Sequence, residues 1–228
     1  MKIIKAIVFT VASLLGLLVV AILFVYVVGS SVEYKIPTEQ VQIDTTQIKN
    51  VDGLREYNGS MLRQNEHGLW EMYLEGRPEE RGAAYGALAK ELIQYQERTF
   101  IERIQSIIPS EFYLGFLRRM VMFSNRNIDD YIPDEICSEV YNMSQVCSSD
   151  YDELVGAAYA RQLNYHGAHD IGHAMQRYML VGCTAFAVWD GQSADSSMLV
   201  GRNFDFFFGE DIARHKMVVF VNPTEGIP

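Results

Sequence analysis

Basic side chains are scarce in this sequence, and cysteines are scarcer. Nineteen Lys and Arg stand against 29 Asp and Glu, for a net charge of −10, and the bases form neither a long run nor a stripe interleaved with aromatics. Nucleic-acid binding needs a positive footprint to neutralise phosphates, so that class is excluded. The negative balance reads as a solubility feature. Three cysteines, Cys137, Cys147 and Cys183, are too few for a disulfide-framework fold. A bridge between the first two is the obvious pairing in an exported protein, but Ile136, Val140, Met143 and Cys147 recur at helical spacing. Ten residues of helix separate two Cα atoms by about 15 Å, where a disulfide needs less than about 7 Å, so both are expected as reduced core residues. The HExxH pattern of a zincin is also missing. His166, His169 and His173, with Asp170 between, lie at steps of three and four, yet Gly167 and Gly172 weaken that helix; the histidines read as solvated, and no metal or other cofactor is expected. There is no internal repeat and no low-complexity tract.

What is abundant is apolar residues, at 49% of the chain, and they are unevenly spread. From Ala6 to Val28 no charge interrupts the run, about the length a helix needs to cross roughly 30 Å of hydrocarbon. Residues 1–30 are therefore expected as a transmembrane signal anchor, with membrane contact through residues 6–28. Lys2 and Lys5 hold the short end in the cytoplasm, and the main domain lies on the extracytoplasmic side as a single-pass membrane protein. A cleaved secretory signal is the competing reading, since VVGSS offers small residues near Ser30 and Ser31. A signal core of about 7 to 15 residues is shorter than this run.

Residues 31–67 are polar, poorly periodic and contain Pro37, and read as a stalk or linker. The globular part is expected from about Gly68, opening with a strand in which Trp70, Met72 and Leu74 alternate with polar neighbours. A helix-rich region follows to residue 182: one helix through Leu88, Leu92 and Tyr95 toward Ile108, then helices over 111–124, 133–146, 150–164 and 170–179. The pattern changes at Gly182. CTAFAVW, SMLVGRNF and KMVVFVN are short β-prone runs separated by Gly, Ser and Asp, so residues 183–228 read as the start of a β-sheet core and the class as α+β. Asn58-Gly-Ser and Asn142-Met-Ser are glycosylation sequons of the kind met by chance.

The segment richest in chemistry runs from Gly182 to Phe206. Cys183 opens a strand directly after a glycine and is followed by Thr184; one hairpin later come Gly201, Arg202, Asn203, Phe204 and Asp205. Antiparallel pairing of the two strands is expected to bring Arg202 and Asp205 back beside Cys183. A thiol with pKa near 8.5 needs a base or a nearby positive charge to act as a nucleophile. Cleavage of the Gly182–Cys183 bond would give Cys183 its own α-amino group, with pKa near 8, as that base. Arg202 would lower the thiol pKa, and Asp205 would orient the amine or bind a polar group of the substrate. Gly182 permits the tight backbone that attack on the preceding carbonyl requires. The plainer reading is that Gly182 ends a helix and Cys183 is a buried, inert strand residue.

Together these residues resemble the acyl-coenzyme A:6-aminopenicillanic acid acyltransferase family and, more distantly, choloylglycine hydrolases, within the N-terminal-nucleophile (Ntn) superfamily. The likeness rests on G-C-T at Gly182–Thr184, on GRNFD at Gly201–Asp205, and on EGRPEERGAAYGALAKEL upstream, with Arg81, Gly82 and Gly86 at its core. The resemblance implies an αββα four-layer sandwich and self-cleavage between Gly182 and Cys183. It further implies a Cys183 nucleophile with Asp205 and Arg202 as polar partners, acting on a small-molecule amide or acyl substrate by hydrolysis or acyl transfer at C–N bonds other than ordinary peptide bonds. Thr184 and Asn203 are candidate substrate-binding residues, and the aromatics of FDFFFGE, from Phe204 on, are candidates for an acyl pocket, with core packing the plainer role for most of them. The Cys183–Arg202 spacing exceeds that of choloylglycine hydrolases, so bile-salt specificity is not implied. About three strands' worth of chain follows Cys183, fewer than two sheets need. The sequence therefore reads as a truncated or partial domain whose C-terminal half is either missing or encoded separately. The alternative function is a noncatalytic remnant or a membrane-anchored interaction module.

Overall fold

The computed structural model describes residues 2–174, 181–206 and 209–224, and within them all side chains except those of residues 2, 168–174, 181–183 and 204–206. It is a mixed α+β structure. Helix α1 (Lys2–Ser30) is long and apolar enough to span a bilayer, and its apolar window is not covered by the rest of the chain.

The sheet begins earlier than the polar composition of residues 31–67 predicts. Strands β1 (Lys49–Val51), β2 (Leu54–Tyr57) and β3 (Ser60–Gln64) precede β4 (Trp70–Gly76) in one antiparallel meander. Two tight turns build it. Asp52-Gly53 and Asn58-Gly59 each have positive φ at both residues, the backbone twist that two-residue hairpins favour. The stalk reading is thus corrected for residues 49–64, and the residues before them are also docked. Tyr34 is buried and donates to the Asn125 carbonyl at 3.2 Å, while the Val41 N–H donates to Asn142 Oδ1 at 2.8 Å. Composition missed this because the anchoring side chains here are polar ones used once each, without periodicity.

Helix α2 (Pro78–Ile107) starts at proline, with the Glu80 carboxylate accepting from the Arg77 N–H at 2.8 Å, a cap that satisfies one donor of the open helix end. It lies across one face of the sheet. Leu62, Met72 and Leu74 meet Ala84, Ala87, Leu88 and Ala89 in the main core, all of them 4% exposed or less. The small residues on the helix let it approach closely, and the larger strand residues fill the gap.

Helices α3 (Glu111–Ser124) and α4 (Asp134–Ser144) fall at the expected positions. The expected single helix over 150–164 is instead a 3₁₀ turn, a short α5 (Asp152–Val155) and α6 (Ala158–Ala174). Gly156, at φ 98°, breaks it, in a conformation that glycine adopts without steric cost. A second core of Tyr34, Cys137, Val140 and Leu163 ties α4 and α6 to the segment after α1. Cys137 and Cys147 are unbridged. The Asn142 sequon is 0% exposed, with its amide donating to the Glu39 and Ser138 carbonyls, whereas Asn58 is exposed in its hairpin turn. The helix expected to reach residue 179 lies outside the described residues beyond Ala174.

Three strands follow: β5 (Val181–Asp190), β6 (Ser196–Phe206) and β7 (Met217–Pro223). They do not form one consecutive sheet. β5 and β6 pair as a separate antiparallel hairpin, while β7 joins β4 in parallel, from Trp70 opposite Met217 to Gly76 opposite Pro223. A parallel neighbour needs a long connection, and the helices and the β5–β6 hairpin supply it.

Candidate functional site

The hairpin that carries the cysteine is built from β-branched and aromatic residues on β5 and from SMLV on β6, residue types that favour a pleated surface. Asp195 closes the turn. Its carboxylate accepts from Ser197 Oγ at 2.5 Å, the Ser197 N–H at 3.0 Å and Ser193 Oγ at 3.1 Å, and these bonds, the Ser197 hydroxyl foremost, hold it below the usual carboxylate range. A bulge near Val188–Asp190 adjusts the strand before the turn.

The register is continuous at the open end. Gly182 stands opposite Asp205, Cys183 opposite Phe204, Thr184 opposite Asn203, Ala185 opposite Arg202 and Phe186 opposite Gly201. The antiparallel pairing expected of these two strands is present in the backbone. Strand alternation assigns Cys183 and Arg202 to positions of one parity, two residues apart on the diagonal, and Asp205 to the other parity, across from Gly182; diagonal neighbours on a sheet face lie about 7–8 Å apart. The Cys183 and Asp205 side chains lie outside the described residues, as do the aromatics Phe204–Phe208.

Around them the described side chains are exposed. The Thr184 N–H donates to Asn203 Oδ1 at 2.9 Å, so these two candidate substrate-binding residues bond across the hairpin. Arg202 and Asn203 both face solvent. The Phe186 ring lies across the strand over Gly201, 2.3 Å from where a Cβ would stand, and covers the bare backbone there.

The upstream segment has a different setting. Arg81 is buried, its Nε donating to Glu139 Oε1 at 2.8 Å and its Nη1 to the Gly76 carbonyl at 2.7 Å. A Cβ on Gly82 would stand 2.3 Å from the Glu139 carbonyl oxygen, and one on Gly86 2.9 Å from Ile43 and 3.3 Å from the Met143 carbonyl. Arg81, Gly82 and Gly86 thus set the close packing of α2 on α4.

Sequence reasoning gave no sign of the polar cluster in which Glu97, Arg161 and Gln162 are buried and Cys147 is half-buried. Glu97 and Arg161 pair in the interior, and Gln162 Nε2 donates to Cys147 Sγ at 3.3 Å. Burial, with the Glu97 charge adding to it, pushes the Cys147 thiol up to about 12. A thiol held protonated is a poor nucleophile, which separates Cys147 from any role like that assigned to Cys183. No group of His, Cys, Asp and Glu fit to hold a metal occurs among the described residues; His166 Nδ1 lies 3.0 Å from the Gln162 carbonyl, while the His169 and His173 side chains lie outside the described residues.

A cleft of about 810 Å³ opens elsewhere, between the C-terminal end of α1, the start of α3 and α5, lined by Ile22, Leu23, Tyr26, Phe112, Phe116 and Arg119 among others. No protein-family model matches the chain, and neither a curated relative nor a solved structure does.

Proposed function

We propose that this chain is a membrane-anchored, autoproteolytic cysteine amidohydrolase or acyltransferase of the Ntn type. In this reading Cys183 is the nucleophile, α1 is the retained single-pass anchor, and the domain is an αββα sandwich on the extracytoplasmic side. The observation that carries it is the β5–β6 register, in which GRNFD returns directly alongside Gly182-Cys183-Thr184.

The chemistry follows from that neighbourhood. In processing, Cys183 Sγ attacks the Gly182 carbonyl carbon; the peptide C–N bond breaks and a thioester forms, leaving the Cys183 nitrogen as a free amine. Water then cleaves the thioester, giving a Gly182 carboxylate and a free thiol. In turnover, the Cys183 amine takes the thiol proton, the thiolate attacks the substrate amide carbon, and the amine passes its proton to the departing nitrogen. Water resolves the acyl-thioester in hydrolysis, and a second amine does so in acyl transfer. Arg202, at the same parity as Cys183, favours the thiolate by its charge. Asp205, opposite Gly182, serves the scissile position and the amine released there.

Intact-mass measurement of the full-length protein tests the reading. Two fragments divided between Gly182 and Cys183 are expected, and Cys183→Ala should remain one chain. Arg202→Gln should move the alkaline limb of Cys183 alkylation to higher pH, and Asp205→Asn should slow processing. A single uncut species that still hydrolyses amides would overturn the mechanism.

One observation favours a second reading, a noncatalytic interaction module. Phe186 and Trp189 are 61% exposed and Val200 is 68% exposed on the hairpin, an apolar surface of the kind that pairs with another chain or segment. Absence of both processing and amide turnover in the full-length protein would select it.

A further inference from the structure

The contacts of α3 with α1 fall at a defined depth. From Ala6, about 20 helical residues at about 1.5 Å each cross the hydrocarbon, which brings the far interface to the neighbourhood of Phe24 and Tyr26. There α3 docks. Phe123 meets Phe24 edge-on at 6.1 Å between ring centroids, the Arg119 guanidinium stacks over Tyr26 at 4.5 Å, and Arg119 Nε donates to Ser30 Oγ at 2.9 Å. Gly29 is pressed so closely on α3 that a Cβ would stand 2.1 Å from the Arg119 carbonyl oxygen. At the other end of α3, Phe112 and Phe116 line the same cleft as Ile22 and Leu23. The contacts of the C-terminal half of α3 thus fall within residues 24–30 of α1, and its N-terminal end borders the cleft that residues 22–26 line, which keeps the helix at the level of the interface.

Its surface matches that position. Phe112, Phe116, Met120 and Phe123 recur at steps of four, four and three, forming one helical stripe, and Phe112 is 88% exposed, the neighbouring Tyr113 49% and Met120 38%. Ile107, at the end of α2, is 59% exposed. Residues 111–126 hold Arg118, Arg119 and Arg126 against Glu111 alone, while Asp150 and Glu153 line the far side of the cleft.

The geometry points to α3 as a membrane-interfacial helix. Its aromatic stripe sits in the acyl–headgroup boundary of the leaflet that α1 exits, with Arg119, stacked on Tyr26, at the level of the lipid phosphates, while Arg118 is turned to the Asp152 and Glu153 carbonyls. A basic amphipathic helix with aromatics on its apolar face binds this boundary by burying apolar area and attracting phosphate. Lipid is the occupant because the stripe is continuous with the exposed Phe24 and Tyr26 of α1. The consequence is that the domain is held against the bilayer, with the cleft beside Tyr26 opening at the headgroup level. This inference rests on α1 being a retained anchor.

The test uses the full-length chain in phosphatidylcholine vesicles that contain a phospholipid with a diazirine near the acyl–headgroup boundary, with photo-adducts mapped by mass spectrometry. Adducts are expected in residues 107–123 as well as in 6–28, and Phe112→Glu with Tyr113→Glu should cut the α3 adducts at least fivefold while leaving those of α1 unchanged. Adducts confined to 6–28, α3 adducts unaffected by the two glutamates, or crosslinks from α3 to a second copy in place of lipid would overturn the proposal. Absence of adducts in 6–28 would instead remove the anchor itself, and this inference with it.

Discussion

Arg161 Nε meets Glu97 Oε1 at 2.7 Å with both side chains 1% exposed. The pair joins α6 to α2, and the rest of the guanidinium is fully used. It donates to Asp152 Oδ1 at 2.8 Å, to the Ser148 carbonyl at 2.7 Å and to the Gly156 carbonyl, so the loop between α4 and α6 is fixed by one side chain. Burying two charges is costly unless every donor and acceptor is met; here the donors of Arg161 reach both a carboxylate and the carbonyls of the turn it holds.

Removing either partner strands the other charge in the interior. Glu97→Leu and Arg161→Met should each destabilise the domain by about 3–5 kcal/mol, a drop in Tm of roughly 10 °C or more for a chain of this size. The double variant should recover part of that loss, because no uncompensated charge remains. Thermal melts of the three variants check the order, and a single variant melting like the parent would show that the pair contributes little.

Gly82→Ala probes the α2–α4 contact. Alanine raises helix propensity by about 1 kcal/mol, but the new methyl would stand 2.3 Å from the Glu139 carbonyl oxygen, which is backbone and cannot swing away. Overpacking of this kind costs about 1–3 kcal/mol, so a net loss of stability is expected. Gly16→Ala, with nothing within 4 Å of the added atom, is the control and should cause no loss of stability in the same denaturant titration, since it gains the propensity of alanine without the clash.

Cys147 predicts an alkaline limit. An unfolded thiol titrates near 8.5, whereas burial raises the folded one to about 12. Below the lower value both states hold the proton, and the contribution to stability is fully present. As pH rises toward 12 the unfolded chain loses its proton first, the folded state binds more protons, and stability falls. Urea midpoints measured at pH 8 and pH 10.5 should drop less for Cys147→Ala than for the parent. Iodoacetamide at pH 8 should leave Cys147 unmodified until the chain is denatured.

Much of the local structure was legible without coordinates. The uninterrupted apolar run gave α1 by its length; the alternation at Trp70–Leu74 gave β4, and the steps of three and four gave α2 and α4, because these elements bury one face against a neighbour and the burial period is written in residue type. The β5–β6 pairing was legible for a similar reason: two β-prone runs with turn residues between them are most cheaply paired with each other. The hairpins of residues 49–64 were also written there, in Asp52-Gly53 and Asn58-Gly59, but the strands between are too short for alternation to stand out.

Tertiary structure alone decided the rest. No local rule could send β7 past the adjacent hairpin to lie beside β4, more than 140 residues earlier in the chain, because that choice depends on which sheet edge is open once α2 has covered one face. Nor could spacing reveal that Glu97 and Arg161, 64 residues apart, neutralise each other in the interior, or that Gly82 and Gly86 are small because α4 lies on them. A periodic pattern reports that a face is buried. What it is buried against is fixed only when the separate elements compete for the same core.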